Sequence, residues 1–132
     1  KGGLPPSTLR RVDEFVRCHL AEPLSISDIA GVAGLSEFHF ARMFKKSTGE
    51  SPHSYVLRHR VELAKRLLVS SRLGLGEIAR ACGYSSQSHF AVQFRNFTSV
   101  TPLRYRALHA NGKVARAREP AIALAQLSHC SQ

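Results

Sequence analysis

Apolar residues in this chain recur at spacings of three and four, the period of helices that bury one face, and nowhere alternate as a half-buried strand requires. Between Thr8 and about Ala21, Leu9, Val12, Val16, His19 and Leu20 share a face, with Arg10, Arg11, Asp13, Glu14 and Arg17 elsewhere. Ser7 is the expected cap of this helix and Pro23 its stop. Ser25 and Asp28 stand at capping-box spacing ahead of Ile29, Val32 and Ala33, which predicts a short helix ending at Gly34. Ser36 then caps a longer helix to about Thr48, with Phe40, Met43, Phe44 and Ser47 inward and Phe38, Ala41, Arg42 and Lys45 outward. Ser51 and Pro52 open a further helix to about Val69, roughly 18 residues or about 27 Å. After a break at 70–74, SSRLG, the pattern predicts a short helix from about Leu75 to Cys82 and a turn at Gly83. A long helix follows from about Ser86 to Thr98, then a last one that starts at Thr101 and Pro102 and fades past His109.

The pattern is written twice. Ile29, Ala30, Gly34 and Ser36 fall on Ile78, Ala79, Gly83 and Ser85, with one extra residue in the second turn. His39, Phe40, Ala41, Phe44, Thr48, Pro52 and Tyr55 then fall on His89, Phe90, Ala91, Phe94, Thr98, Pro102 and Tyr105. A short helix, a glycine turn and a second helix make the pattern of the helix-turn-helix, whose second helix enters the DNA major groove. The duplication therefore points to an all-α chain with two reading units: 7–51 and 70–109, joined by a long helix at 52–69. A stiff joining helix is expected to set the two readers about 34 Å, one DNA turn, apart. Residues 1–6, KGGLPP, have the composition of a linker, and the Ala-rich basic stretch 110–132, interrupted by Pro120, that of a flexible tail.

Charge sharpens the picture. The 132 residues carry a formal net charge of +10, most of it within the first 110, which favours a polyanionic partner, either nucleic acid or an acidic membrane surface. No apolar run approaches the roughly 20 residues that span a bilayer. Three cysteines, Cys18, Cys82 and Cys130, form no CxxC pair and do not have the spacing of a disulfide framework, so a reducing cytoplasm is the expected home. No acid–base pair, nucleophile constellation or phosphate-cradling glycine loop stands at catalytic spacing, so neither an enzyme nor a cofactor is expected. The chain starts at Lys1 with its only methionine at Met43, and reads as a piece of a longer protein with an upstream domain.

If the second helix of each unit meets DNA, the residues opposite its buried phenylalanines do so. In the first unit these are Phe38, Ala41, Arg42 and Lys45, with His39 and Lys46 on the flanks. Arg42, at the centre of the stripe, suits bidentate donation to guanine, while Lys45 and Lys46 suit phosphate. Phe38 is apolar on a polar face; it either meets a thymine methyl or a sugar, or tucks back into the core. In the second unit Phe90, Phe94 and Phe97 form the inward set. Ser86, Gln87, Ser88, His89, Val92, Arg95 and Asn96 remain for DNA, with Gln87 suited to adenine, Gln87 and Ser88 alternatively capping the helix, and Val92 in the slot of Arg42. His39 and His89 match in position and suit a hydrogen bond to phosphate or base, or local packing; nothing completes a zinc set around them. Cys82, in the place of Ala33, reads as a small buried residue.

The SxxHFAxxF and GYSSQSHFxxxF stretches, the T-(G/S)-x-(S/T)-P-x-x-Y endings and the intervening RVELAKRLL helix resemble the DNA-binding domain of AraC/XylS-type bacterial transcription regulators over roughly residues 8–108. The resemblance implies seven helices in two helix-turn-helix subdomains reading neighbouring major-groove segments of double-stranded DNA. It puts base-reading positions at Phe38, Ala41 and Arg42, then Gln87, Ser88, His89 and Val92. It also implies an upstream effector-sensing or dimerisation domain and RNA polymerase as partners. Ala41 and Val92 replace polar or basic residues common at these positions, and Ser99 stands where the first unit has Gly49. Two other readings stay open: a non-specific architectural protein that holds phosphate backbones, and a partner-binding helical module that recruits polymerase.

Overall fold

The computed structural model describes residues 3–110. The tail expected at 111–132, and residues 1 and 2 of the expected linker, lie outside the described residues. Within them are seven helices and no strand: α1 (Pro6–Cys18), α2 (Ile26–Ala33), α3 (Glu37–Thr48), α4 (Pro52–Ser70), α5 (Leu75–Ala81), α6 (Gln87–Thr98) and α7 (Pro102–Leu108). The chain divides into two compact units between His59 and Arg60, inside α4, so each half of α4 serves one core.

In the first unit α1 packs on α2 and α2 on α3. Val12 and Val16 of α1, Ile29 and Ala30 of α2, Phe40 and Phe44 of α3, and Tyr55 and Val56 of α4 are buried. Three local signals act as the sequence predicts. The Ser25 hydroxyl accepts from Asp28 N–H at 3.0 Å while the Asp28 carboxylate accepts from Ser25 N–H at 3.3 Å, a complete capping box. Gly34 closes α2 at φ 71°, a left-handed conformation that glycine adopts without a Cβ penalty. Ser36 caps α3 by accepting from His39 N–H at 3.2 Å.

Several expectations are corrected. α1 is not capped by Ser7: it starts at Pro6, whose missing N–H is no loss at a first helical position, and has no side-chain cap. It also ends at Cys18, three residues early. His19 Nδ1 lies 2.7 Å from the Phe15 carbonyl oxygen and its ring stacks on Phe15 at 4.2 Å, so the side chain satisfies a carbonyl left open at the helix end. His109 ends α7 with the same ring placement, Nδ1 2.9 Å from Tyr105 O and the ring 4.1 Å from Tyr105, though here Tyr105 O also accepts from the His109 backbone N–H at 3.2 Å. Leu4, within the expected linker, is buried, and its N–H donates to Ser47 Oγ at 2.7 Å. Ser47 is therefore not core but exposed, and Met43 is only half-buried.

The second unit repeats the first in detail. Ile78, Ala79, Phe90 and Phe94 are buried as their counterparts are, together with Leu67 and Leu68 of α4. Cys82 is buried and free, as read from the sequence. The Thr48 hydroxyl lies 2.9 Å from Phe44 O and 3.1 Å from Glu50 O and accepts from Glu50 N–H at 3.2 Å. Thr98 does the same with Phe94, Val100 and Val100 N–H at 2.8, 2.9 and 3.2 Å. Gly49 and Ser99 then both turn left-handed, at φ 86° and 71°. Arg106 of α7 donates to Leu68 O at 3.0 Å and Ser71 O at 3.3 Å, tying α7 to the C-terminus of α4. Phe97 is a miss: it is 42% exposed although its spacing from Phe90 aims it inward. Periodicity sets the direction of a side chain, not whether another element lies there to cover it.

Candidate nucleic-acid interface

Burial of Phe40 and Phe44 at i, i+4 fixes the rotation of α3, and with it the residues presented on the opposite face. Phe38, His39, Arg42, Lys45 and Lys46 are exposed and Ala41 is half-exposed beside them. The reading of Phe38 as core fails: the ring is 73% exposed, the most of any large hydrophobic residue described. Arg42 Cζ lies 5.9 Å from its centroid, so ring and guanidinium form one surface. Lys45 and Lys46 stand in the last turn, where the negative end of the helix dipole favours cations.

The same argument orients α6. Phe90 and Phe94 are fully buried, and Ser86, Gln87, Ser88, His89, Val92, Arg95 and Asn96 are all exposed. The helix cap falls on Ser86, whose hydroxyl accepts from His89 N–H at 3.1 Å, so Gln87 and Ser88 are free of the capping role considered for them. By function Ser86, not Ser85, is the counterpart of Ser36, which puts the extra residue of the second turn before it. His39 and His89 stand at matching positions, each three residues after its cap, and the backbone N–H of each donates to the serine hydroxyl. The His89 ring also meets the Tyr84 ring edge-on at 5.4 Å. Val92, 58% exposed, takes the place of Arg42 and leaves α6 without a central cation. Among the described residues no three His, Cys, Asp or Glu side chains cluster as a metal site would require, and no helix is long and apolar enough to cross a membrane.

Sequence reasoning missed a polar cluster behind the first reading helix. Tyr55 packs edge-on against Phe44 at 5.0 Å, its hydroxyl donates to Asp13, and His59 lies against it at 4.4 Å. His59 is buried, its Nε2 3.8 Å from Asp13 Oδ1. Burial above all, with the Arg17 and Arg58 charges, lowers the His59 pKa below the ordinary histidine value. Burial works to raise the Asp13 pKa, but hydrogen bonds from Tyr55 and Arg17 hold it below the ordinary value. Tyr55 itself titrates higher than a free tyrosine, through burial and the Asp13 contact. Among the described residues no acid stands in Tyr105's hydrogen bonds as Asp13 does for Tyr55; its ring meets Phe94 edge-on and stacks on His109 instead.

A family described as a helix-turn-helix domain matches residues 15–108, most of both units. An AraC-type DNA-binding-domain regulator from Chromobacterium violaceum is similar in structure, with a TM-score of 0.74 and 34% identity over 80% of this chain and 94% of that one. The chain belongs to the AraC-type helix-turn-helix family. That family's domain is a DNA-binding one, of the kind carried by transcription regulators. Among curated relatives, the probable transcriptional regulator LumQ of Photobacterium leiognathi is 38% identical over 72% of this chain but only 38% of its own length. The multiple antibiotic resistance protein MarA of Salmonella typhimurium is 32% identical over 80% of this chain and 84% of its own. The DNA-binding domain of AdpA, solved with a target DNA, aligns with a TM-score of 0.74 at 31% identity over 77% of this chain and 92% of that one.

Proposed function

We propose that this chain reads DNA sequence through the outward faces of α3 and α6, each inserted in a major-groove segment, with the two segments neighbours on the duplex. The observation that carries this is the rotation of α3: two buried phenylalanines present Phe38, Ala41 and Arg42 as one exposed surface with Lys45 at its end. Arg42 supplies base discrimination by donating two bonds to a guanine, worth about 1–3 kcal/mol. Lys45, Lys46 and Arg95 hold phosphates, and His39, Gln87, Ser88, His89 and Asn96 supply further polar contacts. Val92 gives α6 a more apolar and weaker readout than α3. Ser86 acts first as a helix cap, which leaves its hydroxyl committed to His89 N–H.

The chain matches 38% of LumQ and 33% of the regulatory protein PocR of Salmonella typhimurium. This supports a longer parent protein; that an effector-sensing or dimerisation domain precedes these two units, and that the protein works in the cytoplasm with RNA polymerase as its partner, is part of the same proposal. The test is a competition titration at fixed salt, using a site selected by this chain from random duplexes. Preference for that site over random DNA by about 10³ or more is the expected result. Equal affinity for both would leave only backbone binding and overturn the reading.

A further inference from the structure

The outward face of α3 is not a uniformly polar reading surface. Phe38, Ala41, Arg42 and Lys45 line a shallow concavity of about 390 Å³ whose far side is Ser51 and Pro52. The surface these residues turn to it is almost wholly apolar. The Ser51 hydroxyl already accepts from Ser54 N–H at 3.2 Å. A cavity so lined rewards an apolar group entering it.

The major groove carries one apolar group, the C5-methyl of thymine. Phe38 is the second residue of α3, in the N-terminal part of a reading helix that meets base edges rather than the backbone, which argues against a sugar as its partner. The Arg42 guanidinium, suited to guanine, is 5.9 Å from the Phe38 ring. Successive base pairs are about 3.4 Å apart, so methyl and guanine fall within one or two base-pair steps of each other.

Resting on the reading of α3 as a base reader, the geometry points to a 5-methylpyrimidine within two base-pair steps of a guanine as the ligand of this concavity, the methyl seated between Phe38, Ala41 and Pro52. The recognised group is the methyl itself, so 5-methylcytosine substitutes for thymine there, and cytosine methylation tunes binding.

The experiment measures affinity of the chain for its selected duplex and for duplexes in which each thymine in turn is replaced by deoxyuridine, which removes only the methyl. At one position within two base-pair steps of a guanine, affinity falls about fourfold, the worth of one buried methyl. Phe38→Ala, at an exposed position whose truncation leaves the core intact, binds the thymine and deoxyuridine duplexes equally. Replacing that thymine by cytosine weakens binding by the wild-type chain, and 5-methylcytosine recovers the methyl's share. A selected site indifferent to every deoxyuridine replacement overturns the inference while leaving sequence reading intact. So does a deoxyuridine effect undiminished in Phe38→Ala. Failure to select any site refutes the base-reading proposal instead, and the two failures are thereby told apart.

Discussion

Truncating the phenylalanine pair of each reading helix tests the rotation on which the whole interface depends. Phe44 is 1% exposed, with its ring 5.4 Å from Phe40 and 5.0 Å from Tyr55. Phe94 is fully buried, 5.8 Å from Phe90 and 5.5 Å from Tyr105. Removing such a ring leaves a cavity and costs about 3–5 kcal/mol. The aromatic contacts add roughly 0.5–1.5 kcal/mol per pair, which places Phe44→Ala, with its two closer rings, toward the upper end. Against a typical total of 5–15 kcal/mol, that is a large share of the stability. Phe97→Ala is the internal control: the ring is 42% exposed, and its loss costs about 1 kcal/mol or less. Urea denaturation gives the magnitudes, and amide hydrogen exchange assigns each loss to its own unit. If Phe44→Ala or Phe94→Ala cost less than about 1 kcal/mol, or Phe97→Ala cost as much as Phe94→Ala, the inward assignment would be wrong, and the outward stripe with it.

Arg42→Ala is expected to relax preference at one base pair of the selected site, whereas Lys45→Ala or Arg95→Ala weakens binding to all sequences and lowers the salt slope by about 1; an unchanged selected site in Arg42→Ala would contradict the assignment. Ser99, the one non-glycine residue described with positive φ, holds a conformation that its counterpart Gly49 adopts freely. Gly49→Ala therefore destabilises by about 1–2 kcal/mol in thermal melts, while Ser99→Gly is neutral to stabilising by up to about 1 kcal/mol. The lowered His59 pKa has a definite sign: the unfolded state binds more protons than the folded one just below the ordinary value of 6.5, so stability falls as pH drops through that value towards the folded pKa. Urea midpoints measured between pH 7 and 5 should fall for the wild type and stay flatter in His59→Gln; parallel curves would show that His59 does not carry the effect.

Local chemistry decided much of this protein before any tertiary contact was known. The Ser25–Asp28 box, the Ser36 cap, the Gly34 terminus and the Pro52 start depend on backbone groups within a few residues, so short motifs suffice to specify them. The i, i+4 phenylalanines are likewise enough to rotate α3 and α6, and the outward residues follow by geometry alone. What sequence could not decide depends on which partner occupies a given space. The sequence leaves Phe38 open between core and surface, and the structure leaves it exposed; Phe97 is aimed inward by its spacing, yet among the described residues its ring stays 42% exposed. Ser47 shared the inward period too, yet it is exposed and serves as the acceptor for Leu4 N–H, 43 residues away. The Tyr55–Asp13–His59 cluster joins α1 to α4 across more than 40 residues, a contact no periodicity encodes. Hydrophobic period specifies the face a helix turns inward; only the packed chain specifies what meets that face.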